Sequence, residues 1–511
     1  MTRNLNNNTL DIMSPSNAQK SRSARQTYIG RDGGIVDADK PSPEKQFILR
    51  LPEEILHQII RYAAAVEGIR QKRSGYNYDL DFLGKLVITC RRLRRHTIPL
   101  MHRTLSLNGQ ATSRHGSKPL RLPLEEPTMS LFQVHCRELR VQIHDESLPA
   151  NAPFPLLRDL VCHLPNVRKL TVHGGYEGHP KEVLAFIQLA LQNMPHVKSL
   201  ELDREYWGLY LHDVFRHIES SSLQSLHLHG VSRPNGTRKR DCILAEKLQK
   251  KGTAAITSIS VSDYEEDALA TEQLIQWPRA LTHFHFGHYY ENQFYMDLPL
   301  FATWLHPHRE TLRSINIGYL SSEGIGLLFN ASAFPRLETL TLSRWQIGHH
   351  KGRGLPELTY APDTADHLLA PNLHTFTLDF SIYDQHREDF TDFTDPEENW
   401  LRAFARDALA RNAKLRTVKI KFTPKDDLAD GVHVGGYPWD RMDQLRGEFG
   451  PHGLAVEYNQ PPLTKEEWLE ASKPVERGPE YEAAIEREFA LMRRRRRGRD
   501  IREFFHAVSD G

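Results

Sequence analysis

The sequence predicts an α/β fold, in which a small three-helix module precedes a right-handed solenoid with a parallel sheet. The motif Φ-x-x-Φ-x-Φ, where Φ is an apolar residue, recurs ten times between Cys136 and Ile420. Amphipathic helical segments precede most copies, as expected when parallel strands are joined by right-handed crossovers. Self-similarity at a period of tens of residues is typical of a solenoid, which presents one long concave surface. Such a surface usually binds a macromolecule rather than turning over a metabolite.

Composition divides the 511 residues into four parts. Residues 1–45 are rich in Asn, Ser, Gly and Pro and predict a disordered tail. Residues 46–108 form the predicted helical module, and residues 109–460 carry the motif copies. Residues 461–511 follow Pro461-Pro462 and predict a helical, Arg-rich tail, in which Thr464 and Glu467 form a capping-box pattern.

The counts of charged residues and cysteines, and the lack of a long apolar run, argue against several classes of protein. Lys and Arg number 66 and Asp and Glu number 65, so nucleic acid is not expected as a general partner. The four cysteines, Cys90, Cys136, Cys162 and Cys242, form no C-x-x-C pair, which favours reduced thiols in the cytoplasm and/or nucleus. No signal peptide and no apolar run of membrane-spanning length is visible, so no membrane partner is expected.

Helical periodicity defines the N-terminal module. Pro52 suits the first position of a helix, and Glu53 and Glu54 suit the positive end of its dipole. The predicted apolar face of this helix contains Ile55, Leu56, Ile59, Ile60 and Ala63. A second amphipathic stretch contains Leu83, Leu86, Val87, Cys90 and Leu93, with Arg91, Arg92, Arg94 and Arg95 predicted to face water. Pro99 is expected to end this helix, and residues 101–107 predict a first strand.

The segment from Leu51 to Leu107 resembles an F-box. The resemblance is carried by Leu51-Pro52-Glu53-Glu54-Ile55-Leu56, by Thr89-Cys90-Arg91-Arg92-Leu93, and by the ending Pro99 to Leu105, which is similar to the variant in fungal F-box proteins. It implies binding to the Skp adaptor, and through it to the cullin, of a ubiquitin ligase. The residues implied to contact the adaptor are Leu51, Pro52, Ile55, Leu56, Ile59, Leu86 and Leu93. The alternative is that this segment only caps the solenoid, since terminal repeats need capping.

The motif copies resemble degenerate leucine-rich repeats. Their middle apolar positions are residues 139, 170, 200, 226, 259, 284, 315, 340, 376 and 418. Several steps exceed the 20–29 residues of regular repeats, which indicates insertions. In the family this part presents a protein substrate, so the expected function is that of the substrate-recognition subunit of a Skp–cullin–F-box-type ligase. The alternative function is a binding scaffold outside any ligase.

Two sets of residues are candidates for substrate binding. Residues between the apolar positions of each strand, among them His283 and His285, are predicted to face outward over a small polar floor. Aromatic residues stand just after several strands and could line one rim as binding hot spots, or could merely cover the edge of the core. The predicted substrate-binding residues are Tyr206, Trp207, Tyr264, His283, His285, Tyr289, Tyr290, Tyr319 and Trp345.

No pattern indicates a catalytic site or a cofactor. The pairs His227-His229 and His283-His285 have no carboxylate or cysteine at a fixed spacing, so no metal site is expected. A Gly-rich phosphate loop and a G-x-S-x-G motif are missing, and the chain is not expected to be an enzyme. The run Arg493–Arg497 fits a nuclear localisation signal, an RNA-binding patch or the solvated face of a tail helix.

Overall fold

The computed structural model describes residues 50–70, 80–109, 128–143, 154–175, 180–203, 209–218, 222–232, 250–289, 296–320, 327–347, 358–381, 393–424 and 436–471. The chain divides into two compact units, Met1–Ile98 and Pro99–Gly511. The predictions for the N-terminal tail and for Arg493–Arg497 lie outside the described residues, and so does the helix predicted from Cys242 to Lys250, except for Lys250.

Three helices are described near the N-terminal end of the chain. Helices α1 (Glu53–Arg70) and α2 (Leu80–Thr89) lie in the first unit, whereas α3 (Arg91–Met101) begins in the first unit and ends in the second. Helix α1 begins directly after Pro52, whose carbonyl accepts the amide of Leu56 at 2.9 Å. Its buried side carries Leu56, Ile60 and Ala64. Pro99 was expected to end α3 but lies inside it, and the helix runs two residues further to Met101.

The second unit contains a twelve-stranded sheet in which the strands follow chain order and every pair is parallel. The predicted α/β class and parallel sheet are therefore confirmed. The strands are β1 (Thr104–Gly109), β2 (Glu138–Ile143), β3 (Lys169–Gly174), β4 (Ser199–Asp203), β5 (Ser225–Val231), β6 (Ser258–Tyr264), β7 (His283–Tyr289), β8 (Ser314–Leu320), β9 (Thr339–Ser343), β10 (Thr375–Asp379), β11 (Thr417–Lys421) and β12 (Ala455–Tyr458).

Helices lie between many of these strands, and one further helix follows the last strand. They are α4 (Thr128–His135), α5 (Phe154–Cys162), α6 (Pro180–Asn193), α7 (Leu211–His217), α8 (Ala268–Gln276), α9 (Leu298–Leu305), α10 (Arg344–Ile347), α11 (Thr364–Leu368), α12 (Asp395–Ala410), α13 (Pro438–Phe449) and α14 (Lys465–Ala471). The described connection before β9 contains a 3₁₀ turn, Ala331–Ala333, rather than an α-helix. None of the described helices is long and apolar enough to cross a membrane.

The apolar motif positions form the core of the sheet. Leu170 pairs with Leu200, and Val172 pairs with Leu202, in the register that the motif predicts. All four side chains are fully buried. Together with the inward sides of the helices they belong to one hydrophobic cluster that extends from Leu105 to Trp468.

The two edge strands, β1 and β12, do not match the full motif. Residues His102 and Gly453 stand where its first apolar residue would be. Strand β12 was not predicted for this reason, whereas β1 was predicted but assigned to the N-terminal module. Strand β1 pairs with β2, Thr104 opposite Glu138, and therefore belongs to the sheet.

Capping residues set the ends of two helices. Helix α12 begins at Asp395, because Thr394 and Glu397 form a capping box. The predicted box before α14 is confirmed: the amide of Thr464 donates to Glu467 at 2.8 Å, and the amide of Glu467 donates to Thr464 Oγ1 at 3.2 Å.

Candidate functional site

The side chains that alternate with the apolar motif positions form one face of the sheet, which we call the polar face. Along β4, for example, half-buried and buried residues alternate, so the half-buried side chains lie on the side away from the core. From β2 to β11 the polar face contains Glu138, Arg140, Gln142, Lys169, Thr171, His173, Ser199, Glu201, Asp203, Ser225, His227, His229, Ser258, Ser260, Ser262, His283, His285, Ser314, Asn316, Thr339, Thr341, Ser343, Thr375, Thr377, Asp379, Thr417, Lys419 and Lys421. Because the strands are in register, these residues form rows across the sheet.

Ion pairs connect the first strands of the polar face. Arg140 lies 2.9 Å from the largely buried carboxylate of Glu138. Lys169 Nζ lies 3.8 Å from Glu138 and 2.7 Å from Glu201. Side chains of alternating charge on β2, β3 and β4 therefore neutralise one another.

A second chain of charges continues across β3 to β6 and alternates imidazole with carboxylate. His173 Nδ1 lies 2.9 Å from Asp203 Oδ2, and His229 Nε2 lies 3.8 Å from Asp203 Oδ1 and 2.8 Å from Asp263 Oδ2. Burial opposes ionisation of Asp203, but the hydrogen bond from His173 and the two imidazole charges lower its pKa below the usual value. The hydrogen bond to Asp263 raises the pKa of His229.

Asp263 was missed by sequence reasoning because it occupies an irregular position. It adopts a left-handed backbone with φ 47°, and Gly230, which precedes Val231 as Asp263 precedes Tyr264, has φ 76°. A residue with a side chain thus stands where the previous strand has glycine. A left-handed backbone is uncommon for residues with a side chain, apart from Asn and Asp. The alignment of Asp263 with Gly230 is therefore the sequence feature that could have revealed this position.

The centre of the polar face, on β7 to β9, carries Ser, Thr, Asn, His and Gly in place of charged pairs. His285 Nδ1 lies 3.0 Å from Ser260 Oγ. A Cβ atom at Gly287 would lie 3.3 Å from His285 Nε2, so this imidazole leans over the glycine. Desolvation lowers the pKa of His285, and the charge of Lys421 lowers it further. Desolvation likewise lowers the pKa of His227.

Charged pairs return on the last strands. Lys421 lies 2.8 Å from Asp379, and Lys419 lies 2.8 Å from Glu457 of β12. Asp379 is largely buried and also accepts the amide of Ser381 at 2.8 Å. The polar face therefore has two ends of paired charges and a neutral middle.

The proposed aromatic rim is described only in part. Tyr206, Trp207 and Tyr290 lie outside the described residues, and Tyr289 is described only as a backbone position of β7. Tyr319 is half-buried near the end of β8. The role of these residues, like that of His283, which is exposed, stays a prediction.

Tyr264 is a correction to the predicted rim. Its ring is fully buried and packs edge-on against Phe286 at 5.2 Å, and its hydroxyl pairs with Thr271 at 2.8 Å. The left-handed turn at Asp263 places two outward residues in succession, and the next side chain, Tyr264, then points into the core. Tyr264 is therefore a core residue and is not available to a substrate.

Trp345 is half-buried beside a buried ion pair. Its Nε1 donates to the carbonyl of Phe380 at 3.4 Å, and the guanidinium of Arg344 lies 5.6 Å from its ring. Arg344 and Glu397, each with a side chain 3% exposed, form an ion pair with Arg344 Nε 3.1 Å from Glu397 Oε1. This pair joins the turn after β9 to the first turn of α12 and was not visible in the sequence.

The carboxylates beside His229 come from neighbouring strands, so the spacing of histidines along the chain could not show them. The described residues nevertheless hold no group of three or more His, Cys, Asp or Glu side chains arranged to bind a metal ion. The chain of His173, Asp203, His229 and Asp263 is therefore a set of hydrogen-bonded and paired charges.

The residues predicted to contact an adaptor fall into three groups by their exposure in the first unit. Leu56 and Leu93 are buried and support the module from within. Pro52 is exposed, and Ile55 and Ile59 are 44% and 42% exposed. The two remaining candidates, Leu51 and Leu86, are half-buried.

Glu53 connects the first and third helices of this unit. Arg92 Nε donates to its carboxylate at 3.1 Å, and His96 also contacts it. Desolvation opposes ionisation, but the hydrogen bonds from Arg92 and His96 lower the pKa of Glu53 below its usual value. Arg92 also donates to the carbonyl of Leu51, which fixes the residue that opens the predicted motif.

Comparisons with known proteins add no relative to this description. No protein-family model matches the chain, and no curated protein matches it either. The case for a function therefore rests on the two surfaces described above.

Proposed function

We propose that this chain is the substrate-recognition subunit of a Skp–cullin–F-box-type ubiquitin ligase, acting in the cytoplasm and/or nucleus. In this proposal α1 to α3 are the F-box that binds the Skp adaptor. The parallel sheet belongs to a right-handed, leucine-rich-repeat-like horseshoe that binds a protein substrate. The observation that carries the proposal is an exposed apolar stripe on α1.

The stripe is formed by Pro52, Ile55, Ile59 and Tyr62, which follow one another at spacings of three, four and three residues. At about 100° per residue these side chains share one face of the helix, while the buried residues Leu56, Ile60 and Ala64 centre about 120° away. A helix with a polar remainder normally has one apolar face, which packs on its own core. A second, exposed apolar face fits a partner that receives a helix in an apolar groove.

The substrate side of the proposal rests on the chemistry of the polar face. Small uncharged residues such as Ser314, Asn316 and Thr341 lie between two groups of strands that carry paired charges. Such a surface suits an extended protein segment, which can contact uncharged side chains along its length and charged ones at its ends.

The adaptor assignment is tested with Ile55→Asp combined with Ile59→Asp in the full chain. Interface hot spots contribute ~2 kcal/mol or more each, so losing both side chains should lower the affinity for purified Skp adaptor roughly a thousandfold. The matched control is Leu269→Asp combined with Leu327→Asp, which places the same charges at residues 41% and 52% exposed elsewhere. Equal affinity of the Ile55/Ile59 variant and wild type in a binding titration would remove the F-box assignment.

The alternative function is a binding scaffold whose first helices only cap the sheet. It is favoured by the short step from α3 to the sheet: α3 ends at Met101, β1 begins at Thr104, and the carbonyl of Arg103 accepts the amide of Arg137 at 2.8 Å. Under this alternative the wild-type chain captures no adaptor. Removal of residues 1–98 would then lower the midpoint of thermal unfolding of the sheet.

A further inference from the structure

Three arginines stand together on the surface of α3. Arg91, Arg94 and Arg95 are all exposed, and α3 contains no acidic residue. Among the described residues no carboxylate pairs with any of the three, in contrast to Arg92, which binds Glu53. We call Arg91, Arg94 and Arg95 the arginine face.

The arginine face points away from the core of the module. At about 100° per residue its three side chains span an arc of about 100° on α3. The buried residues Leu93, Thr97 and Leu100 lie on the opposite side of the helix. Since Arg92 and His96 turn toward Glu53 on α1, the arginine face lies on the side of α3 that is turned away from α1.

This arrangement works against the stability of α3. Like charges three and four positions apart on a helix repel each other, as Arg91 does with Arg94 and Arg95. Cations in the first turn also oppose the helix dipole, which favours acidic residues there. Local rules of this kind are broken mainly where a surface has another task. Carboxylates supplied by a second molecule would relieve both sources of repulsion.

We propose that the arginine face binds an acidic segment of a partner protein. Arginine presents a rigid fork of N–H donors that matches a carboxylate, and charge-assisted pairs of this kind are among the stronger hydrogen bonds. A nucleic acid is disfavoured because three arginines supply few phosphate contacts, and the chain as a whole has a net charge of only +1. The proposal does not rest on adaptor binding, because the apolar stripe of α1 is a separate surface.

The test compares three full-length proteins at low and at physiological salt. They are wild type, the variant Arg91→Gln/Arg94→Gln/Arg95→Gln, and the control Arg158→Gln/Arg216→Gln/Arg336→Gln, which removes the same charge from exposed positions of the second unit. The probes are a fluorescent ten-residue polyglutamate peptide and a single-stranded RNA of ten nucleotides. Affinity is measured by anisotropy.

We expect wild type and control to bind the peptide alike and the arginine-face variant to bind it about tenfold more weakly. The midpoint of thermal unfolding of this variant should be equal to or above that of wild type, because the repulsion has been removed. The proposal is overturned if wild type does not bind the peptide at low salt. It is also overturned if the variant and the control weaken binding equally, or if RNA binds more tightly than peptide.

Discussion

The imidazole of His229 lies 2.8 Å from the carboxylate of Asp263, a residue that the chain holds in a left-handed conformation. Its other ring nitrogen lies 2.7 Å from Ser262 Oγ. The side chain therefore joins β5 to two consecutive residues of β6. This contact makes the charge of His229 part of the stability of the sheet.

Replacing His229 should destabilise the protein more at low pH than at high pH. The folded state raises the pKa of His229 above its usual 6.5, first through the hydrogen bond to Asp263. The stabilisation is therefore full below the unfolded pKa and is lost as pH rises through the folded pKa. Urea unfolding of wild type and His229→Gln at several pH values should show a difference in unfolding free energy that narrows as pH rises above about 6.5. A difference of constant size would contradict the charged contact.

His285 should show the opposite dependence. Desolvation lowers its pKa below 6.5 in the folded state, so the unfolded state binds the proton more readily. Stability is then lost as pH falls below the unfolded pKa. His285→Gln should gain stability relative to wild type between about pH 7 and 5, and the same titration with His229→Gln serves as the control of opposite sign. Parallel curves for the two variants would refute this assignment.

Breaking the Arg344–Glu397 pair should strongly destabilise the folded protein. Both side chains are 3% exposed, and removal of one partner leaves the other charged and buried. Glu397→Ala should lower the free energy of unfolding by about 3–5 kcal/mol. A double-mutant cycle with Arg344→Met measures the coupling, since the double variant should lose much less than the two single losses combined. Additive losses would show that the pair is not coupled.

Glycine is required at position 318 but not at position 447. A Cβ atom at Gly318 would lie 2.0 Å from the carbonyl oxygen of Gly287, which is part of the neighbouring backbone and cannot move aside. Gly318→Ala should therefore destabilise the protein by ~1–3 kcal/mol or more. Gly447 in α13 has open space around it, so Gly447→Ala should stabilise by about 0.5–1 kcal/mol. Thermal unfolding of both variants tests the contrast, and a stable Gly318→Ala would count against this register.

Trp345, a half-buried aromatic of the predicted rim, should contribute to substrate capture. Trp345→Ala should weaken capture of a protein substrate while adaptor capture stays at the wild-type level. Two pull-downs from the same cells, one scored for each partner, make the comparison. If Trp345→Ala keeps every substrate while Lys419→Ala or Lys421→Ala loses it, recognition lies at the last strands instead.

The periodic part of the fold could be predicted because one rule governs every strand. An apolar residue at position 170, 200 or 226 is buried for the same reason in each repeat, and its register with the next strand follows. The rule fails where the period breaks. Strand β12 follows Gly453 instead of an apolar residue, and the left-handed Asp263 turns Tyr264 into the core.

The charged contacts were harder to predict because they connect distant parts of the chain. Asp203 and Asp263 reach His229 from β4 and β6, and Glu397 reaches Arg344 from the start of α12. Spacing along the chain shows that a histidine faces outward but not which carboxylate lies beside it. Such partners become visible only when the strands are aligned with their neighbours.

The chain order of the strands has a mechanical consequence. Because each strand pairs only with the strands before and after it, a force applied at one end of the sheet can detach one strand without disturbing the others. The 42 positions from Thr375 to Thr417 form one such step, and their release would lengthen a pulled chain by about 140 Å. Stretching of a single molecule from β12 should therefore show a series of small extensions whose sizes follow the uneven repeat lengths.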